Sequence, residues 1–295
     1  MSIRLLYSLF YVFLHGNSET VTIDETLNKF DPISLEEMKD IRLMNRTDTK
    51  FVTSRGKLMQ LLQLASDEYY VQEIDGRRIG EYYTVYFDTP DYDMFRKHHC
   101  GHANRQKLRI RCYVESRQSF LEVKTKNNHS RTNKKRIKMP GFDPTNPRHD
   151  VCFGGREEQL ADCETFVNEY LHYDASCLAE RIENRFRRIT LVNKGKTERL
   201  TIDLDLRFHN LVTSRDKFLD NIVIIELKRD GLIKSPIIDM LKTIRIKKSG
   251  FSKYCIGTAF TYPELPQNRF KNRLRKVERI QNGLTDRDSG AVVKQ

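Results

Sequence analysis

Two segments, Lys107-Leu-Arg-Ile-Arg-Cys-Tyr-Val114 and Phe120-Leu-Glu-Val-Lys124, say most about the fold, because charged and apolar side chains alternate along both of them. Successive side chains of a β-strand point to opposite faces, so residues two apart share a face. Lys107, Arg109 and Arg111 therefore share one face of the first strand, and apolar side chains occupy the other. The two segments predict consecutive strands of a sheet that has one basic, hydrated face.

The same alternation recurs in two later segments. In Thr201-Ile-Asp-Leu-Asp-Leu-Arg207 it places Asp203, Asp205 and Arg207 on one face, and Ile224-Ile-Glu-Leu-Lys228 repeats the pattern. In a β-sandwich such a face is simply solvated, with charges of mixed sign. Four strands with an ionic face fit better a barrel or tunnel with a polar interior and helices outside. An interior rich in Arg and Lys, with a few carboxylates, suits a polyanion and a divalent metal.

Composition narrows the class of partner. The chain has 295 residues and a formal net charge of +12, which favours an anionic partner without specifying it. The six cysteines are scattered and form no CxxC pair, which is typical of buried thiols in a reducing compartment and predicts no zinc site. We therefore expect a cytoplasmic protein.

Both ends of the chain differ from the middle. The apolar run Leu5–Leu14 is too short to span a bilayer as a helix, and no good signal-cleavage site follows it. We expect residues 1–30 to be a leader that is disordered or reflects a mis-assigned start, residues 31–264 to form the folded domain, and residues 265–295 to form a basic tail with a surface helix.

Local signals in the middle predict α+β structure. Ser34 and Glu37 form a capping box, and Ser54 is expected to cap a second helix. Asn193-Lys-Gly-Lys196 is expected to turn a hairpin between two long strands. His98, His99, His102 and His129 lie in polar stretches and are expected to be solvated rather than metal ligands.

Eight segments together resemble the VTC domain, the polyphosphate polymerase branch of the triphosphate tunnel metalloenzymes. They occur in the family's order over roughly residues 35–262; each is weakly specific, but the ordered set is strongly so. The segments are Arg46-Thr-Asp-Thr-Lys-Phe51, Tyr83-Thr-Val-Tyr-Phe-Asp-Thr89, Lys107-Leu-Arg-Ile-Arg-Cys-Tyr113, Phe120-Leu-Glu-Val-Lys124, Phe186-Arg-Arg188, Glu198-Arg-Leu-Thr-Ile-Asp203, Ile225-Glu-Leu-Lys228 and Ser249-Gly-Phe-Ser-Lys-Tyr254.

The resemblance implies an antiparallel eight-stranded β-tunnel flanked by helices, whose lumen binds a triphosphate chain and a divalent metal, Mn²⁺ or Mg²⁺. The phosphate-binding residues it implies are Lys50, Arg109, Arg111, Lys124, Lys134, Arg136, Arg188, Arg199, Lys228 and Lys253. Of these, Lys50, Arg109, Arg111, Lys124, Arg188, Arg199 and Lys253 are the expected catalytic cations. Glu226 matches the metal-binding carboxylate, with Glu122, Asp203 and Asp205 as weaker candidates. For Asp203 and Asp205, pairing with lumen arginines is an equally good reading.

The first strand departs from the wider superfamily. That superfamily begins with Glu-x-Glu-x-Lys, whereas this chain has Arg46-x-Asp48-x-Lys50, so one first-strand carboxylate is missing. The difference modestly favours polymerase over hydrolase. The alternation around Ile189 further predicts that Arg188 faces the lumen, and that Arg185 and Arg187 face outward.

The implied reaction is transfer of the ATP γ-phosphate onto a growing polyphosphate chain, which serves as its own nucleophile. Phosphoryl transfer needs charge neutralisation and alignment, and no protein nucleophile. Hydrolysis of tripolyphosphate or a nucleoside triphosphate is one alternative, and a polyphosphate-binding sensor without turnover is another. Specific nucleic-acid binding is disfavoured because no recognition helix or set of stacking aromatics is present. A separate membrane protein as partner stays open.

Overall fold

Eight antiparallel strands form the central path of one mixed sheet. The computed structural model describes residues 21–39, 41, 46–128, 132–139, 142–143, 161–231 and 233–284. The strands are β1 (Asp31–Ile33), β2 (Arg46–Ser54), β3 (Tyr69–Gln72), β4 (Gly80–Asp88), β5 (Arg105–Tyr113), β6 (Gln118–Lys126), β7 (Thr132–Lys138), β8 (Ala179–Asn193), β9 (Glu198–Asn210), β10 (Asp216–Leu219) and β11 (Ile222–Asp230). The central order is β2-β11-β9-β8-β4-β5-β6-β7, with β1, β3 and β10 beside it.

This sheet curls into a half-barrel. Lys124 on β6 and Glu226 on β11 perturb each other's pKa, although five strand spacings separate them in the order. In a flat sheet that separation would be ~24 Å. The two edges of the path must therefore bend toward each other, and the face that carries Lys50, Arg109, Arg188 and Glu226 becomes concave. We call this the inner face. The predicted α+β fold with an antiparallel eight-stranded tunnel is confirmed.

Helices cover the outer face and close part of the inner face. They are α1 (Ile23–Leu27), α2 (Leu35–Lys39), α3 (Arg55–Ala65), α4 (Asp93–Cys100), α5 (Ala161–Tyr170), α6 (Pro236–Thr243), α7 (Lys253–Thr261) and α8 (Lys271–Gln281). Two buried apolar clusters lie on the outer face, one beneath α1, α3 and α6 and the other beneath α5. A third cluster lies on the inner face, where α7 and α8 pack against Val52, Phe208 and Ile224.

A bulge in β9 changes which residues reach the inner face. Asp205 has a positive φ of 54°, and the pairing of β8 with β9 shifts register between Arg185 and Arg187. As a result Leu204 packs in an outer cluster, whereas Leu206 packs in the inner one. The regular alternation predicted through Arg207 therefore stops at Leu204, because a bulge inserts an extra residue and reverses the faces beyond it.

Several local predictions are confirmed. The side-chain oxygens of Ser34 and Glu37 each accept the other residue's backbone N–H, as a capping box requires. Ser54 accepts a hydrogen bond from the backbone N–H of Lys57 and so caps α3. The turn at residues 194–197 joins β8 to β9, where the side chain of Asn193 accepts the N–H groups of Thr197 and Glu198.

Packed residues extend beyond the predicted domain limits. Within the expected leader, Leu27 and Phe30 are buried in an outer cluster. Within the expected basic tail, Leu274 and Val277 of α8 are buried in the inner cluster. Amphipathic spacing on α8 thus serves packing as well as solvation. Residues 1–20 and 285–295 lie outside the described residues, as does His129. None of the helices described is both long and apolar enough to cross a membrane.

Candidate phosphate-binding site

Glu122 on β6 is fully buried on the inner face and holds two cations. Arg109 lies directly opposite it on β5 and donates from Nε at 2.8 Å and from Nη2 at 2.5 Å. Lys134 on β7 donates to the other carboxylate oxygen at 3.0 Å. Burial tends to raise the pKa of Glu122, but Arg109, Arg111 and Lys134 outweigh it and hold this pKa well below its usual range. The carboxylate is therefore ionised and fixes the orientation of the Arg109 guanidinium group.

Asp203 on β9 forms a second buried group with two cations. Arg188 on β8 donates from Nε at 2.6 Å and from Nη2 at 2.9 Å, and Lys253 at the start of α7 binds the same carboxylate. The pKa of Asp203 is lowered, because these two cations outweigh the opposing effect of burial. The pKa of Lys253 falls to about 7, since burial and the nearby Arg188 offset the attraction of Asp203.

Glu226 on β11 has a different environment from the other two carboxylates. Its ion pair is with Lys50 on β2, at 2.9 Å, and its side chain is 21% exposed, against 0% for Glu122 and 5% for Asp203. Burial alone would raise its pKa, but Lys50, Lys228 and Lys124 hold the pKa well below its ordinary value. Glu226 therefore presents an ionised and partly accessible carboxylate.

Arg111, Lys124 and Lys228 lie on the inner face and form no ion pair with a carboxylate within the described parts of the chain. Nε of Arg111 is buried without any hydrogen-bond partner there. The pKa of Arg111 is lowered by burial and then by Arg109, whereas that of Lys124 is lowered first by Arg109 and then by burial. Burial lowers the pKa of Lys228 to about 8. Arg111 is buried, and Lys124 and Lys228 are partly buried. Unneutralised cations with little access to water are costly, so this part of the face suits an anion.

Aromatic rings support several of these cations. The guanidinium of Arg188 lies 4.8 Å from the ring centre of Tyr82, and the ammonium of Lys253 lies 4.2 Å from that of Phe186. Arg136 on β7 lies 4.5 Å from the ring centre of Phe120. Contact with an aromatic face stabilises a cation without neutralising it. The ring contacts therefore leave the positive charges of these side chains in place.

The remaining predicted residues divide between the inner face and its surroundings. Arg199 lies directly opposite Lys228 on the neighbouring strand, so both belong to the inner face. Asp205 does not join the group, because the β9 bulge turns it toward Arg55 and Arg187, with which it forms ion pairs. Its expected metal role is therefore not supported by its position.

Lys107 and two histidines make contacts that the local sequence does not indicate. Lys107, which the alternation put on the inner face without a role, donates to Oγ of Ser252 at 2.7 Å. His99 is only 6% exposed, and its Nε2 accepts the backbone N–H of Arg269 at 3.2 Å. Burial lowers the pKa of His98 to about 2. Both rings are therefore packing elements, and the prediction of solvated histidines is wrong for them. Their positions on a helix covered by Phe270 carried no signal in the local sequence.

The expected metal ligands do not form a common cluster. Within the described ranges, no group of three or more His, Cys, Asp or Glu side chains could hold a metal ion. Glu122 and Asp203 already bind two cations each. Mg²⁺, however, is commonly held by one or two carboxylates together with substrate phosphates and water. Glu226 fits that arrangement, because it is ionised, partly accessible and engaged by one lysine.

The site can therefore bind a multiply charged, oxygen-rich anion. Arginine forks recognise pairs of phosphate oxygens, and lysines act as point charges along a chain. Cations from β2, β5, β6, β8 and β11 converge on one concave surface, which suits an extended anion better than a single small one. Glu122 and Asp203 limit the excess charge while no anion is bound.

Comparison with known proteins identifies the family of this chain. The family model described as "VTC domain" matches residues 45–262. No curated protein matches the chain. A putative adenylyl cyclase from Hippeastrum, reported to have a dominant triphosphatase activity, has 16% identity and a TM-score of 0.48, over 76% of this chain and 99% of that one. A putative adenylate cyclase from Vibrio parahaemolyticus has 8% identity and a TM-score of 0.40, over 71% and 96%. Because the VTC model covers most of its length, the chain belongs to the VTC domain family.

Proposed function

We propose that this protein is a divalent-metal-dependent polyphosphate polymerase, which transfers the γ-phosphoryl group of ATP to the end of a growing polyphosphate chain. The observation that carries the proposal is the set of inner-face cations without carboxylate partners in the described chain, above all the buried Arg111 and the partly buried Lys124. A protein tolerates such charges where a ligand neutralises them. Membership in the VTC domain family supports phosphate chains as that ligand.

In this proposal Arg111, Lys124 and Lys228 bind phosphate oxygens of the two substrates and offset their mutual repulsion. Arg109 and Arg188 keep fixed orientations through Glu122 and Asp203. Fixed forks favour the in-line geometry in which a terminal oxygen of polyphosphate displaces ADP from the γ-phosphorus. The attacking electron pair comes from the polyphosphate, and the departing pair stays on ADP. No side chain needs to form a covalent intermediate.

Glu226 would hold the divalent metal together with phosphate oxygens. When bound, such an ion supplies Lewis-acid polarisation and a template for adjacent phosphates. Lys50 would then exchange its contact with Glu226 for one with phosphate. The absence of a first-strand Glu at position 46 supports polymerase over hydrolase, since it removes a second carboxylate from that strand.

The test is to incubate the purified protein with ATP and Mn²⁺ or Mg²⁺, and to resolve the products by gel electrophoresis and phosphorus NMR. We expect long-chain phosphate and ADP. Free phosphate without chain product would identify a hydrolase, and tight polyphosphate binding without turnover would identify a sensor. Either result would overturn the polymerase proposal.

Glu226→Gln should abolish metal-dependent turnover and leave most of the polyphosphate binding. A matched control is Glu73→Gln, which breaks a half-buried ion pair with Arg78 at 2.8 Å, away from the inner face. The control should keep full activity. Turnover in Glu226→Gln equal to that of the unsubstituted protein would remove Glu226 from the metal role.

We further propose a cytoplasmic location with a separate membrane protein as partner. The cysteine pattern supports a reducing compartment, and five of the thiols, at Cys100, Cys112, Cys163, Cys177 and Cys255, are free. Cell fractionation with and without candidate membrane partners tests this proposal. Recovery of the protein outside the cytoplasm and its membranes would contradict it.

A further inference from the structure

A buried carboxylate joins three elements just behind the phosphate-binding site. Asp88 ends β4 and is fully buried. Its Oδ1 accepts the backbone N–H groups of Thr89 at 2.8 Å and Met94 at 2.9 Å, and its Oδ2 accepts that of Phe95 at 2.9 Å. The hydroxyl of Tyr254, on the first turn of α7, donates to the same Oδ2. Asp88 therefore ties α7 to β4 and to the start of α4.

The first turn of α7 contains one inner-face cation, Lys253, and its N-cap residue contacts another, Lys107. Lys253 precedes Tyr254 and binds Asp203. Ser252, the N-cap of α7, accepts a hydrogen bond from Nζ of Lys107 at 2.7 Å, and the same Nζ lies 5.7 Å from the ring centre of Tyr254. Any rotation of this turn would displace Lys253 and release Lys107.

The Asp88–Tyr254 contact can be removed without unseating the helix. Further along α7, Gly257 lies so close to Phe208 that a Cβ there would come within 2.4 Å of the ring. The ring of Tyr254 also stacks on Tyr86, with centres 5.3 Å apart. Removing the Tyr254 hydroxyl keeps both packing contacts of α7 and the three backbone hydrogen bonds to Asp88. It removes only the hydrogen bond that joins the first turn of α7 to the end of β4.

We propose that the Asp88–Tyr254 hydrogen bond is a positioning contact of the phosphate site, which sets the first turn of α7 and thereby the placement of Lys253 and Lys107. The inference rests on the proposed function, because it assumes that the inner face binds phosphate chains. Neither residue touches the substrate. Asp88 and Tyr254 act through the helix that presents the cations.

The test is Tyr254→Phe, which removes one oxygen atom, with binding of long-chain polyphosphate measured by calorimetry. We expect a roughly tenfold loss of affinity, the size of one hydrogen bond to a charged group. Tyr83→Phe is the matched control, since the Tyr83 hydroxyl also donates to a carboxylate, that of Glu183, but on the outer face. It should lower thermal stability similarly and leave affinity unchanged.

The pH profile of binding separates positioning from simple destabilisation. Lys253 faces Asp203 on β9, Arg188 on β8 and Arg111 on β5, and its pKa is about 7. In the unsubstituted protein affinity should therefore fall as the pH rises through 7, because Lys253 loses its proton. In Tyr254→Phe this step should weaken, since a displaced Lys253 leaves the buried environment that lowers its pKa.

The outcomes distinguish the two proposals. If the unsubstituted protein fails to bind polyphosphate, the proposed function fails. If it binds, and Tyr254→Phe has the same affinity and pH profile, the positioning role is overturned. An equal affinity loss in Tyr83→Phe would also overturn it, because the effect would then follow from general destabilisation.

Discussion

Two regions of the inner face use the same residue types in opposite ways. In the paired region, Arg109 and Arg188 are held by Glu122 and Asp203, so each buried charge has a partner. In the unpaired region, Arg111, Lys124 and Lys228 have none within the described residues. Cations on the inner face therefore do not by themselves mark a binding site. The cations that lack carboxylates point to the ligand, whereas the paired ones shape the surface around it.

The two regions should respond to substitution with opposite signs. Removing a carboxylate from the paired region leaves buried cations uncompensated, which destabilises a fold strongly. Removing a cation from the unpaired region relieves repulsion and costs binding instead. Substitutions in the paired region should therefore mainly lower stability, and substitutions in the unpaired region should mainly lower polyphosphate affinity.

The largest effect is expected for Asp203→Asn. It leaves Arg188 and Lys253 buried without a counter-charge, so the free energy of unfolding should fall by about 3–5 kcal/mol. Urea denaturation measures the change. Asp216→Asn is the control, because its pair with His209 is exposed and should contribute little. Equal stability of the two variants would mean that the paired region does not hold the fold together.

The second-largest effect is expected at low pH, where protonation of Glu122 and Asp203 should lower the free energy of unfolding. The pKa values of Glu122 and Asp203 are held below their ordinary values in the folded protein. Their stabilising contribution is complete above the unfolded-state pKa of about 4 and is lost as the pH falls through the folded values. Unfolding free energies measured at about pH 5 and about pH 3 should differ less in Asp203→Asn than in the unsubstituted protein. Identical differences would contradict the assignment of this linkage to Asp203.

Arg111→Met should lower polyphosphate affinity without lowering stability. The change removes a buried cation that lies near Arg109 and Arg188, so stability should stay equal or rise. Polyphosphate affinity should fall by about tenfold to a hundredfold, because a charge-assisted hydrogen bond is lost. Arg207→Met, on the exposed outer side of β9, is the control and should leave affinity unchanged. A destabilised Arg111→Met with full affinity would reverse the roles of the two regions.

Sequence reasoning predicted the unpaired region better than the paired one. Alternation along residues 107–114 and 120–124 was enough to put Arg109, Arg111 and Lys124 on one face, because strand geometry fixes side-chain direction locally. Which cation meets which carboxylate depends on register between strands. The contacts of Glu122 with Arg109 and of Asp203 with Arg188 each cross a hairpin between consecutive strands. Alternation within one strand does not specify the register of a hairpin, so it does not specify these pairs.

The errors have a common physical origin. Asp205 lies at a bulge, which interrupts the alternation, and it forms ion pairs with Arg55 and Arg187 instead of facing the inner surface. Asp88 has no role that its local sequence indicates, because its partners on α4 and α7 come together only in the folded chain. Ser252 caps α7, but the position of α7 against the inner face depends on tertiary packing.

The smallest effect is expected for Lys134→Gln, which tests where the paired region ends. Lys134 binds Glu122 from β7, the edge strand, and its side chain is 40% exposed. Arg109 still neutralises Glu122 in the variant, so the unfolding free energy should change by less than about 1 kcal/mol. Because Lys134 reaches the inner face from its solvated rim, affinity for polyphosphate should fall slightly and mostly at low salt, where exposed charges are poorly screened. A loss as large as that of Asp203→Asn would extend the paired region to β7 and make Lys134 part of its buried charge balance.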